Sequence, residues 1–203
     1  MANKGILIII SGPAGVGKGT ICKKLLKQDS NMCLSISETT RDPRPGERDG
    51  VDYFFISRET FLERIEKNLY LEYDHHFDRY YGTPADYVEQ QLDQGKDVIL
   101  EIDVNGAALV RSKVKHCVMI FILPPSLEEL KKRILKRGTE TEEQLKLREQ
   151  RIEAEFQRAS HFDYAVVNDD LDETVAIVRA IVTAEKHKPA YTQEKINYIN
   201  GGK

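Results

Sequence analysis

Between an apolar run at Gly5–Ile10 and a helical stripe at Ile21, Cys22, Leu25 and Leu26, the chain carries Gly12-Pro-Ala-Gly-Val-Gly-Lys18-Gly-Thr20. No other stretch restricts the possible folds as much. The β-branched run closing on Ser11-Gly12 reads as a fully buried strand, and the stripe behind it reads as a helix. Glycines in a strand–turn–helix setting let backbone N–H groups converge on phosphate oxygens. The helix N-terminus adds positive potential, and Lys18 can reach β and γ phosphates. A tight turn that merely joins strand to helix is the plainer alternative, and four glycines with a lysine and a hydroxyl argue against it. Gly12, Pro13, Ala14, Gly15, Val16, Gly17, Lys18, Gly19 and Thr20 are therefore the expected cradle of a nucleoside triphosphate. The strict pattern G-x-x-x-x-G-K-[ST] is missed by one place, because Gly19 follows the lysine and the hydroxyl arrives at Thr20.

Strand and helix patterns then alternate. Strands are expected at Cys33–Ser37, Tyr53–Ile56, Asp97–Ile102, Val118–Leu123 and Tyr164–Val167. Ser57 is placed to cap a helix carrying Phe61, Leu62, Ile65 and Leu69. Further helices are expected over 127–136, about 141–160 and 171–186, with residues 38–52 an exposed loop. This alternation predicts an α/β fold with a doubly wound parallel sheet.

Composition narrows the classes. The chain has 203 residues, 40% of them hydrophobic and 31% charged, enough apolar material for a core. Thirty Lys+Arg against 33 Asp+Glu gives a net charge of −3, without the footprint of a dedicated nucleic-acid binder. Cys22, Cys33 and Cys117 are odd in number and lack C-x-x-C spacing, which argues against a disulfide framework or zinc cluster and suits a reducing compartment. The early apolar run is far shorter than the roughly 20 residues a bilayer needs, and no secretory signal is evident. The expectation is a cytoplasmic protein that binds neither membrane nor nucleic acid. The histidines, among them His75 and His76, show no metal-ligand spacing.

A second phosphate site is suggested by Ser37-Glu-Thr-Thr-Arg41-Asp-Pro-Arg44-Pro-Gly46-Glu-Arg48, where guanidinium forks sit in a proline-stiffened loop. A solvated loop is equally consistent with composition, since Glu38, Asp42 and Glu47 cancel the three arginines in number. Arg133 and Arg137 lie four apart on one helix face, and Arg148 and Arg151 three apart on the next. On composition alone a solvated helical hairpin is the better reading of these.

With these blocks in order, the sequence closely resembles guanylate kinase over nearly its whole length. The resemblance is carried by the loop at 12–20, Thr39-Thr40-Arg41-x-Pro-Arg44-x-Gly46-Glu47 and Gly50-x-Asp52-Tyr53-x-Phe55. It is carried further by Tyr80-Tyr81-Gly82-Thr83, Leu100-Glu-Ile-Asp103-x-x-Gly106, Arg137-Gly-Thr-Glu-Thr-Glu142 and Val167-Asn168-Asp-Asp170. It implies a P-loop core (1–36, 87–129, 160–186), a GMP-binding insertion (37–86), a helical lid (130–159) and a C-terminal tail (187–203).

By that resemblance, Arg41, Arg44, Tyr53 and Tyr81 hold the GMP phosphate, and Ser37, Glu72 and Thr83 read the guanine. A carboxylate accepts guanine's adjacent N1–H and N2–H₂ donors, whereas adenine would leave it desolvated without partners. Read without the resemblance, Glu72 is a surface carboxylate near a helix end. Glu101 and Asp103 are expected at the GMP side, Glu101 standing where many family members carry Asp, and Thr20 and Asp103 are the candidate Mg²⁺ ligands. The lid arginines Arg133, Arg137 and Arg148 would close over the triphosphate with Lys18, and Arg137 and Asn168 would contact the adenine.

The implied reaction is ATP + GMP ⇌ ADP + GDP, with dGMP a further acceptor and Mg²⁺ the cofactor. The attacking phosphate oxygen is already ionised at neutral pH, its second pKa being about 6, so no general base is needed. Two alternatives stay open at this stage: a kinase for another nucleoside monophosphate, and a guanylate-kinase-like binding module. The intact Lys18 loop speaks against the second.

Overall fold

The computed structural model describes residues 4–76, 78–135 and 152–189. Five strands form one parallel sheet in the order β2 (Met32–Leu34), β7 (Asp97–Glu101), β1 (Leu7–Ser11), β8 (Val118–Leu123), β9 (Tyr164–Val167). With β1 central, its residues are buried throughout, as expected when helices cover both faces of a sheet.

Alternation along β1 divides the core in two. Ile8 and Ile10 join Ile120 and Ile122 under α1 (Lys18–Gln28) and α7 (Leu171–Lys186). Leu7 and Ile9 join Leu100 and Met119 under α3 (Ala85–Asp93) and α4 (Val104–Lys113). Full burial of each such side chain contributes roughly 1.5–3 kcal/mol.

The strand order reverses direction at β1. Its C-terminal end, together with those of β7 and β9, therefore lines one edge, and open α/β sheets bind ligands in the crevice there. The loop at 12–17 follows β1, Asp103 follows β7 and Asn168 follows β9.

A second, mixed sheet has the order β4 (Phe54–Phe55), β3 (Glu38–Thr39), β6 (Arg79–Pro84), β5 (Tyr70–His76). Here the structure corrects the start of the expected exposed loop over 38–52, while 40–52 form no named strand and are mostly exposed. Glu38 and Thr39 are buried in β3, antiparallel to β6, with the Thr39 hydroxyl donating to the Tyr80 carbonyl at 2.9 Å. The partner strand lies some forty residues onward, so no local pattern announces it. The strand expected at Cys33–Ser37 is likewise only Met32–Leu34, after which the chain leaves for the second sheet.

Ser57 does cap α2 (Arg58–Glu66), its side chain accepting from the Thr60 N–H. The β5–β6 hairpin, α3 and α4 were not anticipated. α5 spans Leu127–Leu135, residues 152–157 are helical (α6), and a 3₁₀ turn follows at Arg158–His161. The rest of the expected helix over 141–160 falls outside the described residues. Among the described residues no helix is long and apolar enough to cross a membrane.

Candidate active site

The loop after β1 opens into α1 with Gly17 at the N-cap, at φ 104°. Lys18 folds back over this loop, its Nζ donating to the carbonyls of Gly12 at 2.6 Å and Pro13 at 3.1 Å. Burial pushes its pKa down, and the nearby Glu101 carboxylate opposes that shift. A cavity of about 320 Å³ lies against the loop backbone, Lys18, Lys23 and Glu101. A second, of about 290 Å³, shares Gly15, Gly17 and Thr20 and reaches Arg133, Asn168 and Leu171.

Glu101, expected on the GMP side, stands against this loop. Its carboxylate oxygens lie 3.4 Å from where a Cβ on Gly19 would sit. The glycine that shifts the P-loop pattern by one place is thus the residue facing this acid.

Glu72 is buried in β5, not on the surface as it reads without the family resemblance. Opposite it on β6, Thr83 donates its hydroxyl to Glu72 Oε1 at 2.5 Å. Burial raises the Glu72 pKa; the Thr83 hydrogen bond opposes this, and the charges of Asp103 and Asp74 add to it. Asp103 caps α4, Oδ1 accepting the Gly106 N–H at 2.8 Å. A Cβ on Gly106 would lie 3.3 Å from Glu72 Oε2 and 3.4 Å from Asp103 Oδ1, so both carboxylates share the N-terminus of α4, where the helix dipole favours negative charge. The chain therefore runs directly from Glu101 beside the phosphate loop to Asp103 beside Glu72.

The arginine loop is closed from within. Arg41 is buried, donating to Glu47 Oε2 and Oε1 at 2.8 and 3.0 Å and to the Asp42 carbonyl at 2.8 Å. Its guanidinium lies 5.3 Å from the Tyr53 ring centroid, and Tyr53 meets Tyr81 edge-on at 6.1 Å. The Arg44 N–H donates to the same Glu47 carboxylate at 2.7 Å, while its side chain is exposed. Arg41, Tyr53 and Tyr81 are thus together, and Arg44 is tied in through its backbone. Ser37 lies half-buried just before β3, its carbonyl accepting the Phe54 N–H.

Glu47 is the residue that sequence reasoning missed as a site member, treating it as a charge that merely cancels arginines. Its place six residues after Arg41 and three after Arg44, beyond a Pro-Gly turn, was the available signal. Glu38 does not cancel loop charges at all: it accepts from the Tyr70 hydroxyl and pairs with Arg64 Nε at 3.0 Å.

Arg133 on α5 donates to the main-chain carbonyl of Asn168 at 3.1 Å. Asn168 is buried, its Nδ2 donating to the Val16 carbonyl at 2.7 Å. Arg137, Arg148 and Arg151 lie outside the described residues.

A phosphate loop at the switch point of a parallel sheet, with the paired Glu72 and Thr83 carried on a small mixed sheet, defines a P-loop nucleotide kinase class of α/β protein. The family model described as guanylate kinase matches residues 4–185. The chain belongs to the guanylate kinase family, whose members are ATP:GMP phosphotransferases. It is 52% identical over 184 residues to a guanylate kinase of Clostridium perfringens, covering 91% of this chain and 85% of the relative. It is 50% identical over 196 residues to one from Halalkalibacterium halodurans, covering 97% and 96%. The crystal structure of guanylate kinase from Anaplasma phagocytophilum superposes with a TM-score of 0.72 at 33% identity, covering 93% of this chain and 90% of that one.

Proposed function

We infer that the protein transfers the γ-phosphoryl group of ATP to GMP, and also to dGMP, giving ADP and the guanine nucleoside diphosphate in guanine nucleotide recycling. The observation that carries the assignment of GMP is Glu72, a buried carboxylate that accepts the Thr83 hydroxyl and stands beside Asp103 and Gly106 at the start of α4. A buried acceptor pair matches guanine's N1–H and N2–H₂ and penalises adenine, which offers no proton at N1.

In this reading the loop at 12–20 and Lys18 hold the triphosphate. Arg41, Tyr53, Tyr81 and Arg44 hold the GMP phosphate, and Ser37 and Thr83 assist Glu72. Lys18 releases the Gly12 and Pro13 carbonyls to meet phosphate oxygens, and Arg133 follows, with Arg137 and Arg148 of the lid. The acceptor oxygen carries its own charge, so these cations act by positioning and neutralisation and none acts as a base. Lid closure excludes water, which would otherwise be the acceptor.

The exposed Thr20 hydroxyl and the Glu101 carboxylate beside Gly19 fit a hard, oxygen-seeking cation held chiefly by nucleotide phosphates. Asp103, committed to the α4 cap and close to Glu72, fits a role through water or at the GMP side. Mg²⁺ bound there with ATP supplies charge neutralisation on the phosphates. Both substrates and the unpaired thiols suit the cytoplasm.

The test is coupled ADP release with ATP–Mg²⁺ and GMP, dGMP, AMP, CMP or UMP, with Lys18→Ala as control. Turnover with the guanine nucleotides alone, lost in the variant, is expected. Turnover with AMP would overturn the role given to Glu72, and no turnover with any acceptor would leave a binding module.

A further inference from the structure

We propose that Asn168 is a positioning residue for phosphoryl transfer: it fixes the peptide that presents the Gly17 N–H to the triphosphate and ties that peptide to the helix bearing Arg133. The proposal rests on the reading of the loop at 12–20 as the ATP site.

The geometry is specific. Asn168 follows β9, its N–H donating to the Leu123 carbonyl at 2.8 Å, and its side chain meets the phosphate loop, 6% exposed. Nδ2 donates to the Val16 carbonyl at 2.7 Å. In a planar trans peptide the C=O of one residue and the N–H of the next point in opposite directions. Holding the Val16 carbonyl toward Asn168 therefore aims the Gly17 N–H away from it, the direction in which the proposal places the triphosphate. Were this peptide to flip, a carbonyl would face the phosphates in place of a donor.

Two neighbours make the arrangement selective for an amide. A Cβ on Gly17, which sits at φ 104°, would fall 2.5 Å from Asn168 Nδ2, so Asn168 occupies the space a side chain there would need. The Val16 carbonyl only accepts, so the amide nitrogen has to face it, and this settles which way the carboxamide points. Oδ1 then faces the Thr174 hydroxyl at 3.1 Å; that hydroxyl's single proton is also within reach of the Asp170 carbonyl at 2.7 Å.

The connection to the lid runs through the same residue. Arg133 Nη1 donates to the Asn168 main-chain carbonyl at 3.1 Å, while its Nε reaches Glu129 Oε1 at 3.3 Å. Asn168 thus meets the phosphate loop with its side chain and a lid arginine with its backbone. This is a different task from reading the adenine, since the amide donor is already directed at the loop.

The experiment compares Asn168→Asp and Asn168→Ala with the unchanged protein. It measures ADP affinity by calorimetry, GMP affinity without ATP, and KM for ATP and GMP. Loss of one buried donor to the loop should weaken ADP binding and raise the KM for ATP about tenfold in both variants, with GMP affinity unchanged. Asn168→Asp adds a signature that a purely structural role would not produce. Its carboxylate faces the Val16 carbonyl at neutral pH, and its protonated form donates again, so ADP affinity should recover on acidification in this variant alone.

Thr174→Val keeps the amide donor and should change ADP affinity only about threefold, which preserves the comparison if either Asn168 variant fails to fold. ADP affinity within twofold of the unchanged protein would overturn the proposal, as would equal weakening of ADP and GMP. Absence of ATP-dependent GMP phosphorylation in the unchanged protein would instead sink the functional reading, and the ADP measurements would still decide the role of Asn168.

Discussion

Glu47 receives both terminal nitrogens of Arg41, at 2.8 and 3.0 Å, and the same guanidinium interacts with Tyr81. The pair is a splint: it holds a cation in a fixed direction before any ligand arrives, and so reduces the ordering cost of binding. Removing the carboxylate with Glu47→Ala should raise the KM for GMP by about tenfold, the scale of a lost charge-assisted hydrogen bond, and leave the KM for ATP nearly unchanged. Steady-state kinetics with each substrate varied in turn checks this; parallel rises in both would contradict it.

The same pair gives a pH prediction for stability. The Arg41 hydrogen bond, followed by that from the Arg44 N–H, holds the Glu47 carboxyl down at about 2 against an ordinary value of 4.5. A depressed carboxylate stabilises the fold above its unfolded value, and this contribution is lost as pH falls from 4.5 toward 2. Glu47→Gln should therefore flatten part of the acid limb of a Tm-against-pH curve in that window. An unchanged slope would show that the pair does not matter to folding.

In the proposed role Glu72 has to be ionised to accept two guanine donors, and burial raises its pKa. Acidification should therefore weaken GMP binding at a pH above the ordinary glutamate value, while ATP binding is less affected. Glu72→Gln should remove that dependence and lower kcat/KM for GMP by about a hundredfold, since one acceptor becomes a donor facing donors. Calorimetric titration of GMP from the ordinary glutamate range up to neutral pH reads the difference.

Lys18 rests on two carbonyls of its own loop, at 2.6 and 3.1 Å. Its replacement by alanine should lower kcat by about 10²–10³-fold, the usual scale for one preorganised electrostatic contact, with GMP affinity retained. Single-turnover measurement with both nucleotides saturating separates this from a loss of ATP binding.

Cys22 sits two residues past the loop, yet burial pushes its thiol up to about 12. Since the thiolate is the reactive form, alkylation of the folded protein should reach Cys33, which is only half-buried, well before Cys22 or Cys117. Mass spectrometry of partially labelled protein gives the order, and early modification of Cys22 would refute it.

Much was legible in the sequence where order is local. The β1–loop–α1 unit, β8, β9, α7 and the Ser57 cap all follow from short-range patterns: an apolar run, a 3.6-residue stripe, a hydroxyl before a helix. What lay hidden were contacts between distant segments. Thr39 became a strand residue only because β6 lies beside it, and Glu72 became buried only because β5 packs on α4. Glu47 looked like a neutralising charge until folding put it on Arg41.

By itself the sequence determined the class of fold and its chemistry, because a phosphate loop needs only adjacent residues: glycines for the turn, a lysine for charge, a helix for its dipole. The tertiary structure decided what each carboxylate stands against. Glu101 faces the phosphate loop while Asp103, two residues on, turns to cap α4 beside Glu72. Side chains two positions apart part company where a strand gives way to a helix, and only the packing of that helix against β5 determines what each one meets.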